Sequence, residues 1–350
     1  MITTVIGTRP QFIKAAVVSV ALREAGVPET ILHTGQHYDA GMSRVFFDTL
    51  SLQTPFRSLN MVPGNTTKRF AGMIAGVDEC LEELKPAAIL VYGDSDSAPA
   101  GAIAAVKRNI PVIHIEAGLR SFNTAMPEEW NRIITDRISH LLFCSSASAV
   151  TQLQHEGITR NVYETGDVMY DALLRFKETP GLLPEPIKTL SEQPFVLLTL
   201  HRPYNVDDAV QLKTICEAIS VLPVPVIWPV HPRTAARLNP EWTGSHIHIT
   251  QPLGYIEMLH LLRNASRVIT DSGGLQKEAY WMQKPCITLR PETEWHELVE
   301  TGCNRLLPHP MAETMLDAFN WQPQQFIPDL YGNGTAATRI AAIIKKEFAQ

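Results

Sequence analysis

The sequence predicts an α/β protein built from two doubly wound domains that face each other across a cleft. Three observations carry that expectation. Short β-branched runs alternate with segments of 3.6-residue periodicity, and the alternation breaks once at a proline cluster before resuming. Two strand-to-helix corners, one in each half, carry turns suited to phosphate, which places a binding cleft between the halves.

In the first half, Ile2 to Ile6, Thr30 to Thr34, Ala88 to Tyr92, Val112 to Ile115, Leu141 to Cys144 and Val162 to Thr165 read as strands separated by helical segments. Such alternation implies a parallel sheet with right-handed crossovers. Pro180, Pro184, Pro186 and Pro194 then interrupt the pattern in a stretch that sustains neither a continuous helix nor a central strand. The pattern resumes with strands at Phe195 to Thr199, Val226 to Pro229, Ile247 to Ile249, Val268 to Thr270 and Cys286 to Leu289. The domain boundary belongs at the proline break or slightly before it. The expected division is 1–168 for the first domain, 169–334 for the second, and 335–350 for a C-terminal helix able to pack back on the first.

With 350 residues the chain exceeds one ordinary core and suits two domains. Hydrophobic residues make up 45% and charged residues 19%, and the formal net charge of -6 argues against a nucleic-acid partner. Five widely spaced cysteines without a C-x-x-C pair fit reduced thiols rather than a disulfide framework or thiolate metal site. No signal-peptide pattern opens the chain and no apolar run approaches the roughly 18 residues of a membrane span, so a cytoplasmic protein with no membrane partner is expected.

The phosphate-friendly corners come first among the chemistry-bearing residues. Val268 to Thr270 runs into Asp271-Ser272-Gly273-Gly274 and a helix start, where free N–H groups and the positive dipole end favour an anion, although Gly-Gly there also serves tight packing. Ile2 to Ile6 runs into Gly7-Thr8-Arg9-Pro10, with Lys14 one turn on. Asp94 and Glu116 follow strands at the edge where open α/β sheets bind ligands, and Glu128 stands in the first turn of a later helix. Carboxylates converging there would push at least one pKa toward neutrality, as a general acid or base requires. Each also has a plain structural reading: a turn residue for Asp94, a cap or an ion pair with Arg120 for Glu116, an N-terminal helix acid for Glu128. His201-Arg202 and His231-Pro232-Arg233 end corresponding strands of the second half, as proton carriers, phosphate partners or strand caps. No motif for nicotinamide, a P-loop or a paired nucleophile appears, and the histidine spacing does not suit a metal.

Taken in order, Gly7-Thr8-Arg9-Pro10, Gly93-Asp94, His114 through Arg120, Pro127 through Arg132, His201-Arg202, and Asp271 through Gly274 with Glu278 resemble the non-hydrolysing UDP-N-acetylglucosamine 2-epimerase family almost end to end. The resemblance implies the GT-B fold of two Rossmann-like domains, a UDP-sugar substrate, no metal or other cofactor, and a homodimer. It makes Asp94, Glu116 and Glu128 the acid/base carboxylates and His201 a catalytic residue near the diphosphate. Arg9, Lys14, His231, Ser272, Gly273, Gly274, Glu278, Arg120 and Arg132 become substrate-binding residues, with Glu278 on the ribose. The implied reaction is C2 epimerisation of a UDP-2-acetamido sugar through a 2-acetamidoglucal, serving surface polysaccharide precursor synthesis. A GT-B glycosyltransferase or a nucleotide-sugar binding protein is the different class to exclude.

Arg290-Pro291-Glu292-Thr293-Glu294-Trp295 and Leu200 through Asn205 look more like the branch acting on UDP-2,3-diacetamido-2,3-dideoxyglucuronate. Gly35 through Asp39 and Arg120 through Met126 depart from the stretches that form an allosteric site in bacterial main-branch enzymes, so little or no such activation is expected. Asp96 adds a carboxylate that this pattern does not explain.

Overall fold

The computed structural model describes residues 1–36, 47, 49–59, 65–323 and 325–348. His37, Tyr38 and Asp39 of the divergent 35–39 segment lie outside the described residues. The chain divides into two compact units, Met1–Arg175 with Asp329–Gln350, and Phe176–Pro328.

The first unit holds seven parallel strands: β1 (Ile2–Ile6), β2 (Glu29–His33), β3 (Arg57–Ser58), β4 (Ala88–Tyr92), β5 (Val112–Ala117), β6 (Leu141–Cys144) and β7 (Val162–Glu164), in the order β3-β2-β1-β4-β5-β6-β7. Every residue of β4 is fully buried, because helices cover both faces of a doubly wound sheet. The alanine-rich helix Ser97–Lys107 packs on Thr66–Leu84, and its Ala98, Ala102 and Ala105 let it sit close over Val5 and Val91 in one core.

The second unit repeats the winding with β8 (Val196–Thr199), β9 (Val226–Pro229), β10 (Ile247–Thr250), β11 (Arg267–Thr270), β12 (Cys286–Thr288) and β13 (Asn304–Leu306), in the order β10-β9-β8-β11-β12-β13. Leu198, Trp228, Ile269 and Ile287 from its strands join Ile215 and Ile219 of the helix Ala209–Ile219 in the core. Strands β3 and β13 were not expected. They are edge strands of two and three residues, too short to show a period.

The expected 168/169 boundary moves to Arg175/Phe176, and 329–334 joins the first unit. The reason is local. Asp167 N–H donates to the Tyr331 carbonyl at 2.8 Å, and the Asp171 carboxylate accepts from the backbone N–H groups of Ala336 and Ala337 at 3.2 and 2.7 Å. Asp171 thereby caps the returning helix Ala336–Phe348, which packs against Arg9–Glu24.

One buried acid in this unit stores a testable cost. Glu29 accepts from the Thr4 hydroxyl at 2.5 Å, while its second oxygen is buried without a hydrogen-bond partner. Burial raises its pKa above the ordinary 4.5, against the lowering by Thr4, Ser19 and Arg23. A raised acid contributes stability that is complete below the unfolded value and is lost as pH rises through the folded one. Glu29→Gln is therefore expected to raise Tm by about 2 °C near pH 8 and by less near pH 4, as read by calorimetry.

Candidate active site

Each sheet reverses its strand order once, and the reversal is where open α/β sheets hold ligands. In the first unit it lies at β1 and β4. The Gln11 side chain pins this corner: its carbonyl accepts from Gly7 N–H at 2.7 Å, and its amide donates to the Tyr92 carbonyl at 2.8 Å. Gly93 then turns with φ +60°, which glycine adopts without strain, and delivers Asp94 to the strand end. Glu116 has φ +72° at a bulge where the β5–β6 register shifts between Ile115 and Ala117. A bulky residue held there costs about 1–3 kcal/mol, the kind of strain that functional sites retain.

The two carboxylates have separate cationic partners. Lys14, one turn into the helix Arg9–Glu24, forms an ion pair with Glu116, both side chains being nearly buried. Arg132 clasps Asp94 through Nε at 2.9 Å and Nη2 at 2.5 Å. Arg132 itself is fixed by Glu129 at 2.8 Å, and Glu129 also accepts from Ser121 N–H, the Ser121 hydroxyl and Phe122 N–H at 2.8, 2.9 and 3.0 Å. Burial opposes ionisation of Glu129, yet these donors and Arg132 hold its pKa below the usual range. Glu128 stands four residues before Arg132 on Pro127–Ile138, hence on the same face of that helix, and is half-buried. Arg9 sits at the helix start beside the same corner, partly exposed.

Arg120 is placed differently from expectation. Its guanidinium is buried and bonded to Asp136 at 2.7 Å and to Glu156 at 2.7 and 2.8 Å, contacts that brace the unit from inside. Arg132 is likewise engaged within the unit, by Asp94 and Glu129. Asp96 now has an explanation, since Asn131 donates to it at 3.0 Å and to the Asp94 carbonyl at 2.9 Å, tying the turn to the helix. Glu129, Asn131 and Asp136, which bond to Arg132, to the Asp94 turn and to Arg120, were not among the expected candidates.

In the second unit the order reverses at β8 and β11, bringing the His201-Arg202 loop beside the Asp271-to-Gly274 turn. Asp271 is fully buried and organises both: it accepts from His201 N–H, Arg202 N–H and the Asn205 amide at 3.1, 2.9 and 3.1 Å, and its Oδ1 lies 3.2 Å from His201 Nδ1. That contact engages Nδ1 of His201, and 37% of the side chain remains exposed. Burial holds the imidazole below its ordinary 6.5; Asp271 pulls it up, while Arg202, Arg290 and Arg233 push it down. His231 packs 5.9 Å away, ring centroid to centroid, and caps the helix Pro232–Ala235 by accepting from Arg233 N–H.

The helix Gly273–Trp281 starts at the same edge with Ser272 as its N-cap, the hydroxyl accepting from Leu275 N–H at 3.5 Å. A Cβ on Gly273 would strike the Glu294 carboxylate, whereas a Cβ on Gly274 would meet nothing within 4 Å. Glu294 is held by buried Arg290 at 2.9 Å. Glu278 lies one turn beyond Gly274 and is buried. The second unit thus presents a glycine-led helix N-terminus, a feature that favours anions in general, on the same sheet edge as His201.

Two doubly wound units, one with carboxylates clasped by cations and one with a helix end open to an anion, define an enzyme of the GT-B type. The family model described as UDP-N-acetylglucosamine 2-epimerase matches residues 20–345. A UDP-2,3-diacetamido-2,3-dideoxy-D-glucuronate 2-epimerase of Pseudomonas aeruginosa is 42% identical over 99% of each chain, and a UDP-N-acetylglucosamine 2-epimerase of Methanocaldococcus jannaschii is 36% identical over 98% of each. The solved structure of a M. jannaschii UDP-GlcNAc 2-epimerase in complex with UDP-GlcNAc and UDP superposes with a TM-score of 0.88, covering 99% of both chains. A co-structure of S. aureus MnaA with UDP reaches 0.90 at 26% identity, covering 99% of this chain and 96% of that one. The chain belongs to the UDP-N-acetylglucosamine 2-epimerase family and is an isomerase.

Proposed function

We propose that this enzyme inverts C2 of a UDP-2-acetamido sugar without hydrolysing it. The observation that carries the reading is the pair of carboxylates at neighbouring strand ends, Asp94 on Arg132 and Glu116 on Lys14. A carboxylate takes the weakly acidic C2 proton while the C1–O bond to UDP breaks, giving 2-acetamidoglucal and UDP. UDP then adds back to C1 as C2 receives a proton on the opposite face. Two faces demand two proton carriers, and the first unit offers Asp94, Glu116 and Glu128. His201 and the start of Gly273–Trp281 stabilise the charge on the departing diphosphate, and Glu278 takes the ribose hydroxyls. His231 and Arg9 extend the substrate-binding set, and the working form is a cytoplasmic homodimer.

Open space at Gly274 leads to a discriminating prediction. Gly274→Ala should leave Tm unchanged, because its Cβ touches no protein atom, yet weaken UDP binding about tenfold by filling the room the diphosphate takes. Gly273→Ala should lower Tm and binding together through its clash with Glu294. Calorimetry with UDP and thermal melts separate the two variants.

A second reading, the same reaction on UDP-2,3-diacetamido-2,3-dideoxyglucuronate, draws support from the Pseudomonas relative and from Arg290 through Trp295. NMR assays of the purified protein on UDP-N-acetylglucosamine and on the diacetamido uronate, run side by side, test both. Formation of the manno epimer from the first supports the main reading. Turnover of the uronate alone transfers the case to the second, and turnover of neither contradicts both.

A further inference from the structure

We infer that Asn131 and Asp96 are positioning residues for the C2 inversion, a role that rests on the epimerase reading: together they make the turn that carries Asp94 part of the helix Pro127–Ile138, so that Asp94 and Glu128 share one support. Asn131 is buried, and its Nδ2 donates to the Asp94 carbonyl at 2.9 Å and to Asp96 Oδ1 at 3.0 Å. A backbone carbonyl can only accept, so the amide nitrogen faces the turn, and both of its protons are used there.

The ordinary task of an aspartate at position 96 would be to cap a helix. Asp96 is the N-cap of Ser97–Lys107, yet its side chain accepts no bond from that helix. Pro99, the third helical residue, has no N–H to offer, and Ser97 N–H donates to Gln36 Oε1 at 3.0 Å instead. The carboxylate turns to Asn131 on another helix, 35 residues further along the chain.

Arg132, next along that helix, takes the other end of Asp94, with Nε and Nη2 on Oδ2 at 2.9 and 2.5 Å. Consecutive residues thus hold Asp94 by its main chain and by its carboxylate. Glu128 precedes them by three and four positions, which puts it on the same face of the helix. Gly93 is fixed from the other side, its N–H donating to the Ile115 carbonyl of β5 at 2.9 Å. The turn is therefore clamped between a strand and a helix, whereas Glu116 has a separate support at the β5 bulge with Lys14. Proton transfer on both faces of one carbon needs carriers set closely, and a misplacement of about 1 Å costs about 10²-fold. Two carriers on one helix keep a fixed spacing.

The test exchanges donor and acceptor in the full-length protein. Asn131→Asp, nearly identical in shape, sets an acceptor-only group against the Asp94 carbonyl and the Asp96 carboxylate. Its kcat should fall about 10²-fold with KM kept within about twofold. Adding Asp96→Asn lets the new amide donate to the new carboxylate and should recover about tenfold of that loss. Asp96→Ala alone removes one acceptor on a half-buried turn, and should lower kcat about tenfold with Tm kept within about 2 °C. The calorimetric stoichiometry of UDP binding should match the wild type in all three, because the folded fraction is intact. No recovery in the double variant, a wild-type kcat in Asp96→Ala, or a stoichiometry that falls in step with kcat overturns the inference. If Asn131→Asp does not fold, Asp96→Ala decides. Inactivity of the wild type on both UDP sugars contradicts the epimerase reading and this role with it, whereas an active wild type with any of those three results contradicts the positioning role alone.

Discussion

Asp94→Asn is expected to lower kcat for C2 epimerisation by about 10²–10⁴-fold while leaving UDP affinity within about twofold, as measured by NMR turnover and calorimetry. The size of the effect follows from removing a proton carrier without changing its shape. Asparagine still accepts from Arg132 Nε and Nη2, so the clasp loses its charge but retains partners. Arg132 also keeps its bond to Glu129, which limits the loss of stability. A drop in UDP affinity parallel to the drop in kcat would instead assign Asp94 to binding.

The second large effect is expected at Asp271. Asp271→Ala strips acceptors from His201 N–H, Arg202 N–H and the Asn205 amide in a fully buried position, at a cost of about 1–3 kcal/mol for each donor left unsatisfied. Tm should fall by several degrees, and kcat by about 10²-fold or more, because His201 loses its orienting partner. Asp271→Asn separates the two consequences. It keeps an acceptor for the loop but removes the charge that raises the His201 pKa, so the titration of His201, already below 6.5, should move to still lower pH. NMR titration of His201 in the variant reads this directly, and an upward shift would contradict the assigned geometry.

Much of this enzyme is legible in its sequence because doubly wound sheets write themselves plainly. Their central strands are buried on both faces, so β4 reads as an unbroken apolar run and β8 as one up to Thr199, and the turns that follow them carry candidate site residues. Strands β3 and β13 were illegible since a two- or three-residue edge strand has no period to read.

The positioning network was harder, for a different reason. Asp136 stands near the end of an amphipathic helix, where an acid ordinarily faces water; its partner His114 is 22 residues away and meets it only after the sheet has formed. Arg120 looked like a ligand contact because the carboxylates that claim it, Asp136 and Glu156, are remote in sequence. Asp96 looked superfluous until Asn131 was placed beside it. Asp271 was visible as part of a turn, but its role in holding the His201 loop depends on the pairing of β8 with β11. Sequence reveals the groups that face the ligand edge better than the groups behind them.

Solvent exchange at the sugar C2 position tests the central claim most directly. In D₂O, with the UDP sugar and no acceptor, the wild-type protein should replace C2–H by deuterium in both epimers, and Asp94→Asn should abolish that exchange. Turnover that leaves the original hydrogen at C2, or exchange that persists undiminished in Asp94→Asn, would contradict the account.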